Sequence, residues 1–144
     1  MDTSHIPDGY HTLTSYYLVA DVAAYVQFLT TAFGAEVTEK LEGENGAIMH
    51  AEVRIGDSKL MMGARTGDRP AQACMQYMYV PDVDQAYQHL IASGAHSVQA
   101  PQDTFYGHRT ASARDAEGNE WWLARQIQKL TPEELQRKAR EAGR

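Results

Sequence analysis

The chain has 144 residues, 43% hydrophobic and 22% charged, the composition of a soluble globule built as one domain or as two fused modules. Nineteen acidic against thirteen basic residues give a net charge of −6, so no basic stripe can neutralise phosphates, and a nucleic-acid partner is excluded. Cys74 is the single cysteine, the first residues lack the basic-then-apolar pattern of a secretory leader, and no apolar run approaches the ~20 residues of a membrane span, so a cytoplasmic protein with no membrane contact is expected.

Taken in chain order, Pro7-Asp8-Gly9 marks a turn, and the β-branched and aromatic content of residues 13–19 predicts a strand. Asp21 is the N-cap of a predicted helix over 22–33, whose stripe is Val22, Val26, Leu29 and Phe33, and Gly34 ends it. Strands follow at 35–41, 47–55 and 59–64, separated by turns at 42–46 and 56–58. Residues 65–70 form a polar linker. The pattern then repeats: a strand at 74–80, a helix capped by Asp82 or Asp84 and running to Ser93, a short strand near 97–99, a loop containing Pro101, and strands at 106–114 and 120–124. Thr131-Pro-Glu-Glu134 is a capping box with proline at N1, and predicts a helix to about residue 142 with Leu135 as its apolar anchor.

The two halves also match in sequence. Arg54 and Arg114, Gly34-Ala35 and Gly94-Ala95, and Ala64-Arg65 and Ala124-Arg125 each lie sixty residues apart, in one order. An internal duplication is expected, with modules at 11–65 and 72–127 inside a domain of residues 1–128, followed by a helical tail at 129–144. The fold class is α+β, two βαβββ modules forming curled mixed sheets around a cavity, plus the C-terminal helix.

Several stretches carry a resemblance: Ile6-Pro-Asp-Gly-Tyr-His-Thr-Leu-Thr14, Phe33-Gly-Ala-Glu36, Ile48 to Asp57, Tyr79-Val-Pro-Asp-Val83, Tyr106-Gly-His-Arg109, and Arg114-Asp through Trp122. With the doubled βαβββ order they resemble the vicinal-oxygen-chelate superfamily, the glyoxalase and bleomycin-resistance fold, in its PhnB-like subgroup. The resemblance implies that each sheet carries its helix on one face, that the other faces enclose a ligand site, and that the protein is a homodimer. Metal-using relatives take one ligand from the first and one from the last strand of each module. Transferred onto this chain, those positions are Thr14, Met62, Met75 and Trp122. Thr, Met, Met and Trp are no set for a divalent ion, so neither metal nor cofactor is expected.

Alternation along the strands then assigns the rest of the site. Tyr16 follows Thr14, and Tyr77 and Tyr79 follow Met75. Ala51, Val53 and Ile55 suit the helix, which leaves His50 and Glu52 on the other face, and by the same logic His108, Thr110 and Ser112 line the site from the second module. Aromatic walls with sparse polar groups suit a small-molecule ligand that is planar or cationic, although the same rings could simply fill a small core. The first functional expectation is a small-molecule-binding protein that sequesters a drug or metabolite. The alternatives are a lyase or isomerase of the same superfamily with His50 and Glu52 as an acid–base pair, and an accessory module that docks a partner through its C-terminal tail.

Overall fold

The computed structural model describes residues 2–69 and 71–143; Pro70, the last residue of the predicted linker, lies outside them. The chain divides into two compact units, residues 1–72 and 73–144. The first contains β1 (Ser15–Val19), α1 (Val22–Phe33), β2 (Glu36–Glu42), β3 (Ile48–Ile55) and β4 (Ser58–Ala64). The second contains β5 (Met75–Tyr79), α2 (Val83–Ala92), β6 (His96–Asp103), β7 (His108–Arg114), β8 (Glu120–Gln126) and α3 (Pro132–Glu141). Strand order is β1-β4-β3-β2 in one sheet and β5-β8-β7-β6 in the other, with only the first pair of each parallel. This is the α+β architecture expected of the sequence.

The helices begin and end where their caps dictate. The Asp21 carboxylate accepts the Ala24 N–H at 3.0 Å, and Gly34, at φ 66°, donates its N–H back to Thr30 O. Asp82 rather than Asp84 caps α2, accepting from Gln85 N at 3.0 Å. Asp84 sits one residue inside the helix and instead holds Arg109 of β7 through two bonds of 2.8 and 2.9 Å. Thr131 and Glu134 make the reciprocal capping box of α3, none of whose residues is buried.

In unit one, α1 lies against β3 and β4 and covers Tyr17, Val19, Ala51, Val53, Leu60 and Met62, each at most 7% exposed. In unit two, α2 covers Ala111, Ala113, Trp121 and Leu123. Burying a side chain such as Leu29 or Leu90 contributes about 1.5–3 kcal/mol. Short helices of this length are marginal alone, so it is these buried faces that hold them. The faces opposite the helices are left for other uses.

One strand departs from expectation. β6 runs unbroken through Pro101, where the sequence predicts a loop. The strand is at the sheet edge, and its register with β7 jumps between Gln99 and Gln102, so the proline falls in a bulge that needs no N–H from it.

The duplication also has a step in it. Arg54 pairs with Lys59 across the β3–β4 turn, whereas Arg114 pairs with Glu120 across the β7–β8 turn, which is one residue longer. Correspondence between the units is therefore sixty residues for β3 and β7 but sixty-one for β4 and β8, as it is for β1 and β5. Tyr16 aligns with Met61, and Tyr77 aligns with Trp122, which makes Met61, not Met62, the counterpart of Trp122.

Candidate functional site

That one-residue step moves one predicted site residue to the wrong side of its sheet. Met62 pairs with Tyr17 and Ala51 and is fully buried beneath α1. A slip of one position reverses the direction of a strand side chain, so Met61 takes the helix-free face in its place. The other first- and last-strand assignments fall on helix-free faces. Tyr16 alternates with the buried Tyr17, and Thr14, just ahead of β1, is half-buried. Met75, Tyr77 and Tyr79 are exposed by 62%, 41% and 66%, while Trp121, on the opposite side from Trp122, is 1% exposed.

In unit one the helix-free face centres on Tyr16 and His50. The Tyr16 hydroxyl lies 3.3 Å from His50 Nδ1, and the two rings are 5.8 Å apart. His50 is therefore joined to Tyr16 and not to Glu52, the partner that an acid–base pair would require. Glu52, at 5% exposure, lies in register with Met61 and Glu39 on the same face. Gly63 makes the Tyr16 contact possible: a Cβ there would stand 2.5 Å from the Tyr16 hydroxyl oxygen. Gly63→Ala is expected to leave stability within about 1 kcal/mol, because the obstructed atom ends a flexible side chain, yet to push Tyr16 off His50. The nitrogen-15 shift of His50 Nδ1 checks this; an unchanged shift would mean that Tyr16 finds another route.

In unit two the corresponding face is denser. Tyr77 hydroxyl lies 2.8 Å from His108 Nδ1, and the rings of Tyr77, Tyr79 and Tyr106 stand 5.9, 5.7 and 5.3 Å from that imidazole. The turn at 104–107 places Tyr106 and His108: Thr104 donates its N–H to His108 O at 2.8 Å, and Gly107 supplies the positive φ of 83°. Burial above all, then the neighbouring Tyr106, pushes the Tyr77 phenol well above its ordinary value, so it remains protonated. Trp122 is fixed by Glu120, which accepts the indole N–H at 3.1 Å and the Arg114 guanidinium at 2.9 Å. Arg114 first, then Trp122, holds the Glu120 carboxyl below its usual range. Thr110 lies on the same face but is fully buried, with its hydroxyl taken by Gln99 at 3.0 Å, so it supports the face rather than offering a free group.

Tyr106 completes the site beyond the residues expected to line it, while Glu120 lies on the face of Trp122 as strand alternation implies. Tyr106 lies in the turn just ahead of β7, where the strand period does not extend, so alternation gave no signal for it. A separate groove of about 640 Å³ in unit one is lined by residues including Tyr10, His11, Glu36, Arg54, Asp57 and Lys59. It holds none of the expected site residues, Arg54 is spent on Glu36, and Lys59 lies 4.5 Å over the Tyr10 ring.

Known proteins place this geometry. Residues 10–123 match the family model described as the glyoxalase/bleomycin resistance protein/dioxygenase superfamily. The chain belongs to that superfamily. Among individual members, an uncharacterised protein of Mycobacterium bovis is 27% identical over 138 residues, covering 86% of this chain and 89% of its own. An uncharacterised protein of Mycobacterium tuberculosis is likewise 27% identical, with 79% of its length covered. Among solved structures, TioX from Micromonospora sp. ML1 superposes with a TM-score of 0.70 at 24% identity, covering 81% of this chain and 99% of that one. A superfamily member from Sphaerobacter thermophilus gives 0.66 at 18% identity, covering 80% and 96%. At these identities the solved structures speak for the fold alone.

The glyoxalase-type fold raises the question of a metal, and the donor set answers it. The four positions carry a hydroxyl at Thr14, thioethers at Met61 and Met75, and an indole at Trp122. None is the imidazole, thiolate or carboxylate that a divalent ion takes, and the Trp122 nitrogen is a donor already bound to Glu120. Among the described residues no group of three His, Cys, Asp or Glu side chains could hold an ion elsewhere. A divalent metal does not fit this donor set. No helix among the described residues is long and apolar enough to cross a membrane.

Proposed function

We propose that this superfamily member is a small-molecule-binding protein that sequesters a drug or metabolite without a metal, within the PhnB-like subgroup, as a cytoplasmic homodimer. The observation that carries the reading is the pairing of an unfit metal donor set with the aromatic surface of Tyr77, Tyr79, Tyr106 and Trp122. Flat rings with few polar groups recognise a ligand by stacking and orient it by one or two hydrogen bonds. Exposed Met75, Tyr77 and Tyr79 leave apolar surface that a ligand or a second copy would cover.

The two tryptophans make the test. Trp121 is buried against Asp115, while Trp122 lies half-exposed beside Tyr77. Titration with a panel of planar aromatic compounds should quench emission, and Trp122→Phe should remove most of the response while leaving the Trp121 signal. A flat response across the panel in the wild-type protein overturns the reading. Sedimentation equilibrium measures the dimer.

A second reading, lyase or isomerase chemistry by His50 and Glu52, has one observation in its favour, the buried carboxylate of Glu52. It predicts that Glu52→Gln keeps ligand affinity and abolishes turnover of that ligand. Without turnover in the wild-type protein this reading falls. Docking through the tail is a third, since α3 buries none of its residues; removing residues 129–144 should then abolish an interaction while the sheets stay folded.

A further inference from the structure

We propose that the tyrosines around His108 fix its imidazole as a hydrogen-bond donor, so that unit two takes a planar aromatic ligand bearing an acceptor oxygen, a carboxylate or carbonyl, and discriminates against aromatic cations. The inference deepens the binding reading above and rests on it. It begins with the 2.8 Å bond between the Tyr77 hydroxyl and His108 Nδ1. In the proposed arrangement the Tyr77 hydroxyl donates into Nδ1, and a neutral imidazole whose Nδ1 accepts carries its proton on Nε2. The Nε2–H is then a fixed hydrogen-bond donor on this face.

Three rings in a cluster could equally describe a cage for a cation, as aromatic boxes do for ammonium groups. Here the imidazole itself is the common neighbour of the three. Tyr79 and Tyr106 stand nearly perpendicular to it, at 81° and 74°, and so set the plane in which its Nε2–H points. The carboxylate this face carries among its described residues, Glu120, is engaged by Arg114 and by the Trp122 indole. A donor beside aromatic surface, with the nearby charges already paired, selects a flat molecule with an acceptor at its rim.

The test uses the full chain and three compounds of one shape: 2-naphthoate, 2-naphthamide and 2-naphthylmethylammonium, followed by tryptophan emission. The carboxylate and the amide should bind about tenfold or more tightly than the ammonium. His108→Phe keeps a ring and removes the donor, and should erase that preference. His108→Gln restores a donor and should retain it, which separates loss of the bond from loss of folding. Nitrogen-15 spectra should show His108 Nε2 protonated and Nδ1 not, and Tyr77→Phe should shift the Nδ1 resonance. Equal affinity for ammonium and carboxylate, or a preference that survives His108→Phe, overturns the inference and leaves the binding reading standing. If none of the three compounds binds, while the wider aromatic panel also gives no response, the binding reading itself fails and takes the ligand class with it.

Discussion

Asp115→Ala should lower the unfolding free energy by about 3–5 kcal/mol, a large part of what a domain of this size has. The Asp115 carboxylate, in a residue only 4% exposed, accepts the Glu117 N–H at 2.9 Å, the Asn119 N–H at 3.0 Å and the Trp121 indole N–H at 2.9 Å. Removing it leaves buried donors without an acceptor, at roughly 1–3 kcal/mol for each that water cannot reach. The same turn reaches β5, because Asn119 accepts the Cys74 N–H at 2.8 Å and Glu120 donates to Cys74 O at 2.9 Å. Urea unfolding followed by far-ultraviolet dichroism measures the loss. A change under about 1 kcal/mol would mean that the backbone bonds of the turn, Asp115 N to Asn119 O and Gly118 N to Asp115 O, suffice to hold it.

The second large effect is expected at Gly107. A methyl there would stand 2.3 Å from the carbonyl oxygen of Gln128, and φ is 83°, a region that costs a residue with Cβ about 1–2 kcal/mol. Neither neighbour can move freely, because Gly107 O accepts from Ile127 N at 2.8 Å and Gln128 N at 3.1 Å. Gly107→Ala should therefore cost about 2–4 kcal/mol and displace Tyr106 and His108, which flank it. Gly118→Ala is the control. Its φ of 88° is as strained, but its added methyl meets only the Ala73 side chain at 4.0 Å, so it should cost about 1–2 kcal/mol. Equal losses in the two variants would show that the Gln128 contact relaxes and that backbone strain alone acts at both sites.

Much of this molecule is written locally. The caps at Asp21 and Thr131 end a side chain at the atom where the first free N–H points, so they can be found from spacing alone, while for α2 spacing leaves Asp82 and Asp84 both open. Alternation does the same for β1, β5 and β8: Tyr17 and Trp121 are core residues, so Tyr16 and Trp122 must face the other way. Doubling of the βαβββ order was legible for the same reason, since each unit repeats its own turns and caps. These features sufficed for the α+β class and for most of the residues on the helix-free faces.

What the chain could not declare was any property that depends on two strands at once. A constant shift between the modules points to Met62, but the second hairpin holds one more residue, and register across β1–β4 decides that Met61 takes the helix-free face. Pro101 argues against a strand by its own chemistry, and only the edge position of β6 and the bulge beside it make the missing N–H harmless. His50 has Glu52 two residues away in sequence, yet its partner is Tyr16, reached over the bare backbone of Gly63. Sequence by itself determined the elements, their ends and the alternation of their side chains, because those follow from bonds within a few residues. Tertiary structure decided which tyrosine meets which histidine and which methionine is covered, because hydrogen-bonded register between distant strands sets both, and one residue of slip reverses every face.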